Sequence, residues 1–388
     1  MAVSTRPHRI LHIITRLDPG GSAENTVLSA TRVNPSQFES IVLTGPGLEG
    51  NGPPDEYRER LGEKLLVEPT LRRDIDLQGD VRTFFRLAGW IRRLRPDLVH
   101  LHSAKAGALG RAASRLVRPR IPVVYTPHGH VFSGYGGSLA NRVFTAVEVL
   151  LAPFTTRIIG LTTDERRAFL EHHAGRNHQF RVVPSGVEMR DDDASDEQRR
   201  RYRETWDIND DTPVVGFVGR LVEVKGPDHF LDAAALIHAK RPDTKFVIAG
   251  DGDMRGMLEQ KALQLGLAEA TVWTGWRADA RDMLPAMDVL LLTSRNEGQG
   301  RVLVEAMAAK RPCVGLRSGG VGDVIVDGKT GFVVPYPDLR SAAHKTLTLL
   351  ENPTLRQTMG EAGCRRAHTL FSVDYMIRRL EEVYEEVL

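Results

Sequence analysis

Short runs rich in valine and isoleucine recur along this chain, each followed by a longer stretch of helical period, and the series begins afresh past the midpoint. Strands are expected at 10–15, 40–44, 98–101, 123–126, 157–161 and 181–183, then at 214–218, 245–249, 272–274, 289–293, 313–316 and 331–334. Helical periodicity covers 79–94, 105–117, 227–240 and 254–265 between them. Strands linked through helices pair in parallel, because a parallel pair needs a long crossover. The chain therefore reads as α/β, with two doubly wound parallel sheets. The stretch VVPSGVEMRDDD divides the two series: Pro184, Ser185 and Gly186 break the pattern, and the acidic run that follows cannot pack. A length of 388 residues suits two domains. The expected boundaries are 1–188 and 189–369, with a closing amphipathic helix over 370–388. Two such domains in tandem imply a cleft, with ligands outside the carboxyl ends of the strands.

Several classes are excluded early. Hydrophobic content of 41% with 26% charged residues is that of a globular chain, not a disordered one. The opening MAVSTRPHRILHIITRLD has an apolar run too brief for a signal peptide, and no run approaches the roughly 18 apolar residues of a membrane span. The two cysteines, Cys313 and Cys364, are too few for a disulfide framework, so a cytoplasmic location is expected. Net charge is +2, but residues 1–186 carry 25 Lys+Arg against 17 Asp+Glu, and the remainder carries 27 against 33. The basic half fits an anionic partner or a membrane surface as readily as surface drift. Nucleic acid is not an expected partner, because no aromatic platform accompanies the basic residues.

Some motifs mislead. GPGLEG fits a dinucleotide fingerprint, but Pro46 lies inside it and no helix opens after it; AGDGDMRG has its third glycine one position late. His100 and His102 fall on one side of a strand, and two imidazoles can share a zinc, yet no third ligand is evident, so a pocket or core pair is the favoured reading. No metal is expected.

The segment SRNEGQGRVLVEAMAAK is different. If the preceding DVLLLTS is a strand, NEGQG is its carboxyl-end loop and RVLVEAMAA a helix whose N-terminus offers free N–H groups and a positive dipole end. Gly298 and Gly300 allow close backbone approach, Glu297 stands at the helix entrance, and Glu305 lies in its second turn. Two carboxylates there suit a polyhydroxylated ligand, since they accept hydrogen bonds from hydroxyls. GFVGRLVEVKG supplies Arg220 and Lys225 before another helix, a pair suited to a diphosphate. ITRLDPGGSAEN places Gly20 and Gly21 after the first strand in the same strand-to-helix context.

The run from Glu297 to Glu305 resembles the E-x7-E motif of retaining glycosyltransferases of the GT-B fold, in particular glycosyltransferase family 4, the group 1 transferases. VGRLVEVKG, AGDGDMR, SGGVGDVIVDGKTGFVVP and the early PGG resemble further blocks of that family in its order, so the resemblance covers essentially the whole chain. It implies two Rossmann-like domains facing across a cleft, with the last helix crossing back onto the first. It also implies transfer, with retention and without metal or cofactor, of a sugar from a nucleoside diphosphate sugar, a UDP-sugar being the expected donor. By match of motif Glu305 would hold the ribose hydroxyls, Glu297 the sugar, and Arg220 and Lys225 the diphosphate. Gly20, Gly21, Gly298, Gln299, Gly300 and Arg301 would line the donor, with Gln299 and Arg301 departing from the usual apolar residues. His128 matches the family's histidine near the donor sugar, with His130 a close rival; His102, Lys105 and His130 are the expected acceptor-side residues. The acceptor expected is a saccharide or lipid-linked saccharide of a cell-surface polymer, reached at the inner face of an anionic membrane. A sugar-nucleotide epimerase, or transfer to a soluble acceptor, is the alternative.

Overall fold

A computed structural model describes residues 6–47, 52–129, 132, 138–190 and 195–388, with the side chains of 138–140 excepted. The chain forms two units, Met1–Gly186 with Val373–Leu388, and Val187–Ser372.

In the first unit seven strands, β1 (His8–Ile14), β2 (Phe38–Thr44), β3 (Leu65–Val67), β4 (Leu98–His102), β5 (Val123–Thr126), β6 (Arg157–Gly160) and β7 (Phe180–Val182), make one sheet in the order β3-β2-β1-β4-β5-β6-β7. Every pairing is parallel. Strand alternation assigns the two faces: Leu11, Ile13, Val99, Leu101 and Tyr125 pack with Leu87 and Ile91 of the helix Leu77–Leu94 and with Ala106 and Ala113 of the helix Ala104–Val117. Ile10, Leu98, Val124 and Ile159 pack on the opposite face with Met376, Ile377, Leu380 and Tyr384 of the closing helix Val373–Glu385. That helix shows why the final segment is amphipathic, since each buried aliphatic side chain contributes roughly 1.5–3 kcal/mol. The sequence missed β3, a three-residue edge strand after a tight turn, too short to show a period of two.

The second unit repeats the plan with β8 (Val214–Val218), β9 (Lys245–Ala249), β10 (Thr271–Gly275), β11 (Val289–Leu292), β12 (Cys313–Arg317) and β13 (Gly331–Pro335), in the order β10-β9-β8-β11-β12-β13. All six run parallel. In each unit the chain winds outward on one side of its first strand, returns, and winds outward on the other. The strand order reverses between β1 and β4, and between β8 and β11. Such switch points leave a crevice at the carboxyl ends of the flanking strands, because the loops there diverge to opposite faces of the sheet. The loops that follow β8 and β11 are therefore where a ligand of the second unit is expected, and they carry Arg220, Lys225 and Glu297.

Candidate functional site

In the second unit the two switch-point loops are fastened to each other. Thr293 donates from Oγ1 to the carbonyl of Gly226 at 2.8 Å, and Arg295 N–H donates to the Val224 carbonyl at 2.9 Å. Gly226 has φ +61°, and a Cβ there would stand 2.2 Å from the Thr293 carbonyl oxygen, so only glycine permits the approach. Arg295 makes paired bonds of 2.8 and 2.7 Å to the Asp228 carboxylate. Burial alone would raise the Asp228 pKa, but the Arg295 bonds and charge, with smaller contributions from His229 and the backbone, together hold the carboxyl below its usual range. The loop after β9 joins the same framework, Leu221 N–H donating to the Asp251 carbonyl at 2.9 Å.

This framework presents a cluster of charge. Lys225 Nζ lies 2.9 and 2.8 Å from the two carboxylate oxygens of Glu297, and Ser294 Oγ donates to the second at 2.9 Å. Glu297 and Gln299 are buried, while Lys225 is partly exposed. Gly320 N–H donates to the carbonyls of Glu297 and Gly298, both at 3.1 Å, fixing the loop from the side of β12. Gly300, at φ +78°, opens the helix Arg301–Ala308; a Cβ would press on Leu303 at 3.1 Å and on Glu297 at 3.3 Å. Arg301 Nε and Glu305 Oε1 lie 3.9 Å apart along that helix, both partly exposed. Arg220 is exposed and forms no ion pair with the described residues. The structure thus brings together Lys225, Glu297, Gly298 and Gln299, and Arg301 with Glu305. It also shows a Lys225–Glu297 ion pair where the sequence assigned the two side chains to different parts of a ligand.

In the first unit Pro19, Gly20 and Gly21 are exposed, and Gly20, at φ +157°, caps the helix Gly21–Thr31. His128 follows β5 with φ +63°, a conformation that histidine adopts more readily than most residues but still at a cost. Its neighbour Gly129 donates its N–H to Glu165 Oε1 at 3.0 Å, and Leu161 N–H donates to Glu165 Oε2 at 2.6 Å. Burial pushes the Glu165 carboxyl up to about 7 despite those two bonds.

Register brings more imidazoles to this place than the sequence reading found. His12 pairs with His100 across β1 and β4, and His102 stands opposite Thr126 on β5, two residues before His128. His12 Nδ1 and His102 Nε2 are 3.1 Å apart, and His102 Nδ1 and His128 Nε2 are 2.9 Å apart. His100 joins Tyr384 Oη at 2.7 Å and Thr126 Oγ1 at 2.9 Å. Burial holds His12 and His128 down to about 3 and His100 and His102 well below their usual value, so all four rings are neutral at pH 7. His12 was the missing third imidazole, and the alternation in HRILHII marks it once β1 is known to adjoin β4. Nitrogen atoms of His12, His100 and His102 lie within 4.8 Å of one another, a grouping able to hold a metal ion. Every one of those nitrogens except His12 Nε2 is already hydrogen-bonded.

Two expected acceptor-side residues change role. His102 is wholly buried with both nitrogens taken, so it has no polar atom left for an acceptor. Lys105 is tied to the Asp80 carboxylate and the Asp74 carbonyl, which holds it to the first turn of the helix Leu77–Leu94 and to the segment just before it. His130 lies outside the described residues.

The sheet orders define a pair of Rossmann-like units, and known proteins agree. The Anabaena HepE protein, crystallised with UDP and glucose, has this GT-B architecture: it superposes with a TM-score of 0.81 at 22% identity over 98% of this chain and 100% of its own. The Glycosyl transferase 4-like domain profile matches residues 20–186, and the Glycosyl transferases group 1 profile matches 198–366. The chain belongs to the group 1 glycosyltransferases, family 4. Among its relatives is an Escherichia coli UDP-Gal:alpha-D-GlcNAc-diphosphoundecaprenol alpha-1,3-galactosyltransferase, 26% identical over 87% of both chains. Another is a Mycolicibacterium smegmatis GDP-mannose-dependent phosphatidylinositol monomannoside mannosyltransferase, 35% identical over 67% of this chain and 69% of its own.

Proposed function

We propose that this glycosyltransferase takes its sugar from a UDP-sugar, with retention and without a metal ion, and delivers it to a lipid-linked saccharide acceptor. The observation that carries the reading is the charge arrangement at the β8/β11 switch point. Arg220 supplies an unpaired cation, Lys225 a second one held in place by Glu297, and Glu305 a carboxylate one helix turn beyond the Gly300 cap. A diphosphate needs cations and N–H donors, and a ribose or a hexose needs acceptors; the loops offer both.

The chemistry follows from those positions. As the bond to the departing diphosphate breaks, negative charge grows on its oxygens, and preorganised cations lower the energy of that state more than of the bound donor. Lys225 is prevented from wandering by its paired bonds to Glu297, so little reorganisation is required when the charge develops. Glu297 keeps acceptor capacity for a sugar hydroxyl, since each carboxylate oxygen has two lone-pair sites. Without a separate nucleophile, the acceptor hydroxyl attacks on the face the diphosphate leaves, and the diphosphate takes its proton. The UDP-Gal donor and undecaprenol-linked acceptor in the name of the E. coli relative support the donor and acceptor classes.

Membrane contact rests on the helix Leu77–Leu94. Its Leu87 and Ile91 are core residues, but Leu77, Val81 and Phe85, spaced four apart, form an exposed apolar stripe that Ile75 extends. Exposed Arg72, Arg73, Arg82 and Arg92 flank it. That pattern suits an interfacial helix on anionic lipid. Including its closing helix, the first unit carries 27 Lys+Arg against 22 Asp+Glu, so it remains basic. No helix among the described residues is long and apolar enough to cross a membrane.

A thermal-shift screen across UDP- and GDP-sugars, followed by mass measurement of products on polyprenyl-diphosphate saccharides, tests the proposal. Stabilisation by one UDP-sugar and a product one sugar heavier are expected; a preference for GDP-sugars overturns the choice of base, and epimerised donor with no transfer overturns the reaction.

A further inference from the structure

The file His12–His102–His128 ends in two buried nitrogens, His12 Nε2 and His128 Nδ1, without a hydrogen-bond partner among the described residues. His102 has both nitrogens engaged and, being neutral, carries one proton, so it donates to one neighbour and accepts from the other. The file therefore has two polarities only. In the first, His128 donates to His102 and His102 to His12, leaving an N–H at His12 Nε2 and a bare lone pair at His128 Nδ1. In the second, His12 donates to His102 and His102 to His128, leaving the lone pair at His12 Nε2 and the N–H at His128 Nδ1.

The two ends are unequal. His12 is wholly buried within β1, whereas His128 sits on the loop after β5 in a residue that is partly exposed although its Nδ1 is covered, so only the His128 end lies beside a surface. A buried donor without a partner costs about 1–3 kcal/mol, and an unused acceptor lone pair is the better tolerated orphan. The first polarity strands an N–H at His12 whatever binds. The second strands none once an oxygen acceptor meets His128 Nδ1. We propose that His102 and His12 are positioning residues that hold His128 as the Nδ1–H tautomer, a neutral hydrogen-bond donor to a ligand oxygen and not a base. The proposal rests on the reading of His128 as a donor-sugar contact. It also assigns a use to His12 and His102 of the imidazole grouping, which bond to each other while His100 bonds to Tyr384 and Thr126.

Ring-nitrogen NMR on 15N-labelled protein, with His128→Gln used only to identify the His128 signals, tests this directly. Nδ1 of His128 should appear in the protonated-nitrogen range and Nε2 in the unprotonated range from pH 6 to 8, and UDP-glucose should shift the Nδ1 signal. In His102→Met the two signals should move toward each other, as for a ring sampling both tautomers. Unchanged signals in that variant, or a protonated Nε2 in the wild type, overturn the proposal; the wild-type spectrum decides if the variant does not fold. A UDP-glucose shift alongside a protonated Nε2 sinks the tautomer alone. The expected tautomer with no shift for UDP or UDP-glucose sinks the ligand contact, and with it the donor-site reading of His128.

Discussion

Acidification should destabilise the first unit selectively. Four histidines, His12, His100, His102 and His128, are neutral in the folded protein, whereas in the unfolded chain each titrates near 6.5. Their folded pKa values are lowered, so the unfolded state binds more protons below pH 6.5, and stability falls as pH falls from there toward the folded values near 3. From pH 7 to pH 5 His12 and His128 each contribute a loss of about 2 kcal/mol, and His100 and His102 act in the same direction. Glu165 acts in the opposite sense. Its folded pKa of about 7 lies above the unfolded 4.5, so protonation favours the fold between those values and returns about 2 kcal/mol by pH 5. His12, His128 and Glu165 together leave a net loss of about 2 kcal/mol, which His100 and His102 enlarge, a sizeable part of a domain's stability. Urea titrations at pH 7, 6 and 5, with hydrogen exchange read separately in peptides from β1 and β4 and from β8 and β11, measure it. Protection of β1 and β4 should fall between pH 7 and 5 while that of β8 and β11 persists, and His12→Gln should reduce the pH slope by about 1.4 kcal/mol per unit. A flat first-unit stability between pH 7 and 5 refutes the neutral buried file.

Three further outcomes are expected. Arg220→Ala should lower turnover by about 10²–10³-fold, the scale for losing one preorganised charge, while EDTA leaves wild-type turnover unchanged; activity lost to EDTA and restored by a divalent ion contradicts the metal-free scheme. Arg295→Ala strands the half-buried Asp228 carboxylate and removes the side-chain strap between the β8 and β11 loops, leaving the Thr293–Gly226 and Lys225–Glu297 bonds, so KM for the donor should rise and the unit should lose about 1–3 kcal/mol in urea melts, with an unchanged KM counting against the strap. Phe85→Ser should weaken co-sedimentation with anionic vesicles without altering the melting temperature, because Phe85 is 61% exposed; equal binding by both proteins rejects the apolar stripe as the contact.

The sheets and the donor loops were legible because their signals are local. Val289 to Leu292 is an unbroken apolar run, EGQGRVLVE begins four residues after it, following Thr293 to Asn296, and a strand with its carboxyl-end loop is contained in about a dozen consecutive residues. What escaped depends on pairings between distant segments. His12 and His102 are separated by 90 positions and meet only through the adjacency of β1 and β4; the Asp228–Arg295 strap spans 67. Composition was silent on both. The Lys225–Glu297 pair shows a subtler limit: each residue was singled out, but the sequence cannot say that a cation and an acid bond to each other before a ligand arrives. In the helix Leu77–Leu94 the aromatic and basic residues were plain, while the division into buried Leu87 and Ile91 and exposed Val81 and Phe85 required the packing.

Calorimetric titration of UDP into the wild-type protein and into Glu305→Ala tests the central claim, that the β8/β11 loops and the helix Arg301–Ala308 bind a nucleoside diphosphate. Glu305 is partly exposed, so its removal leaves the fold intact. Losing a charged hydrogen-bond partner costs about 1.5–3 kcal/mol, which predicts wild-type binding and an affinity about 10–100-fold weaker in the variant. Equal affinity in the two proteins, or no binding of UDP by either, contradicts the account.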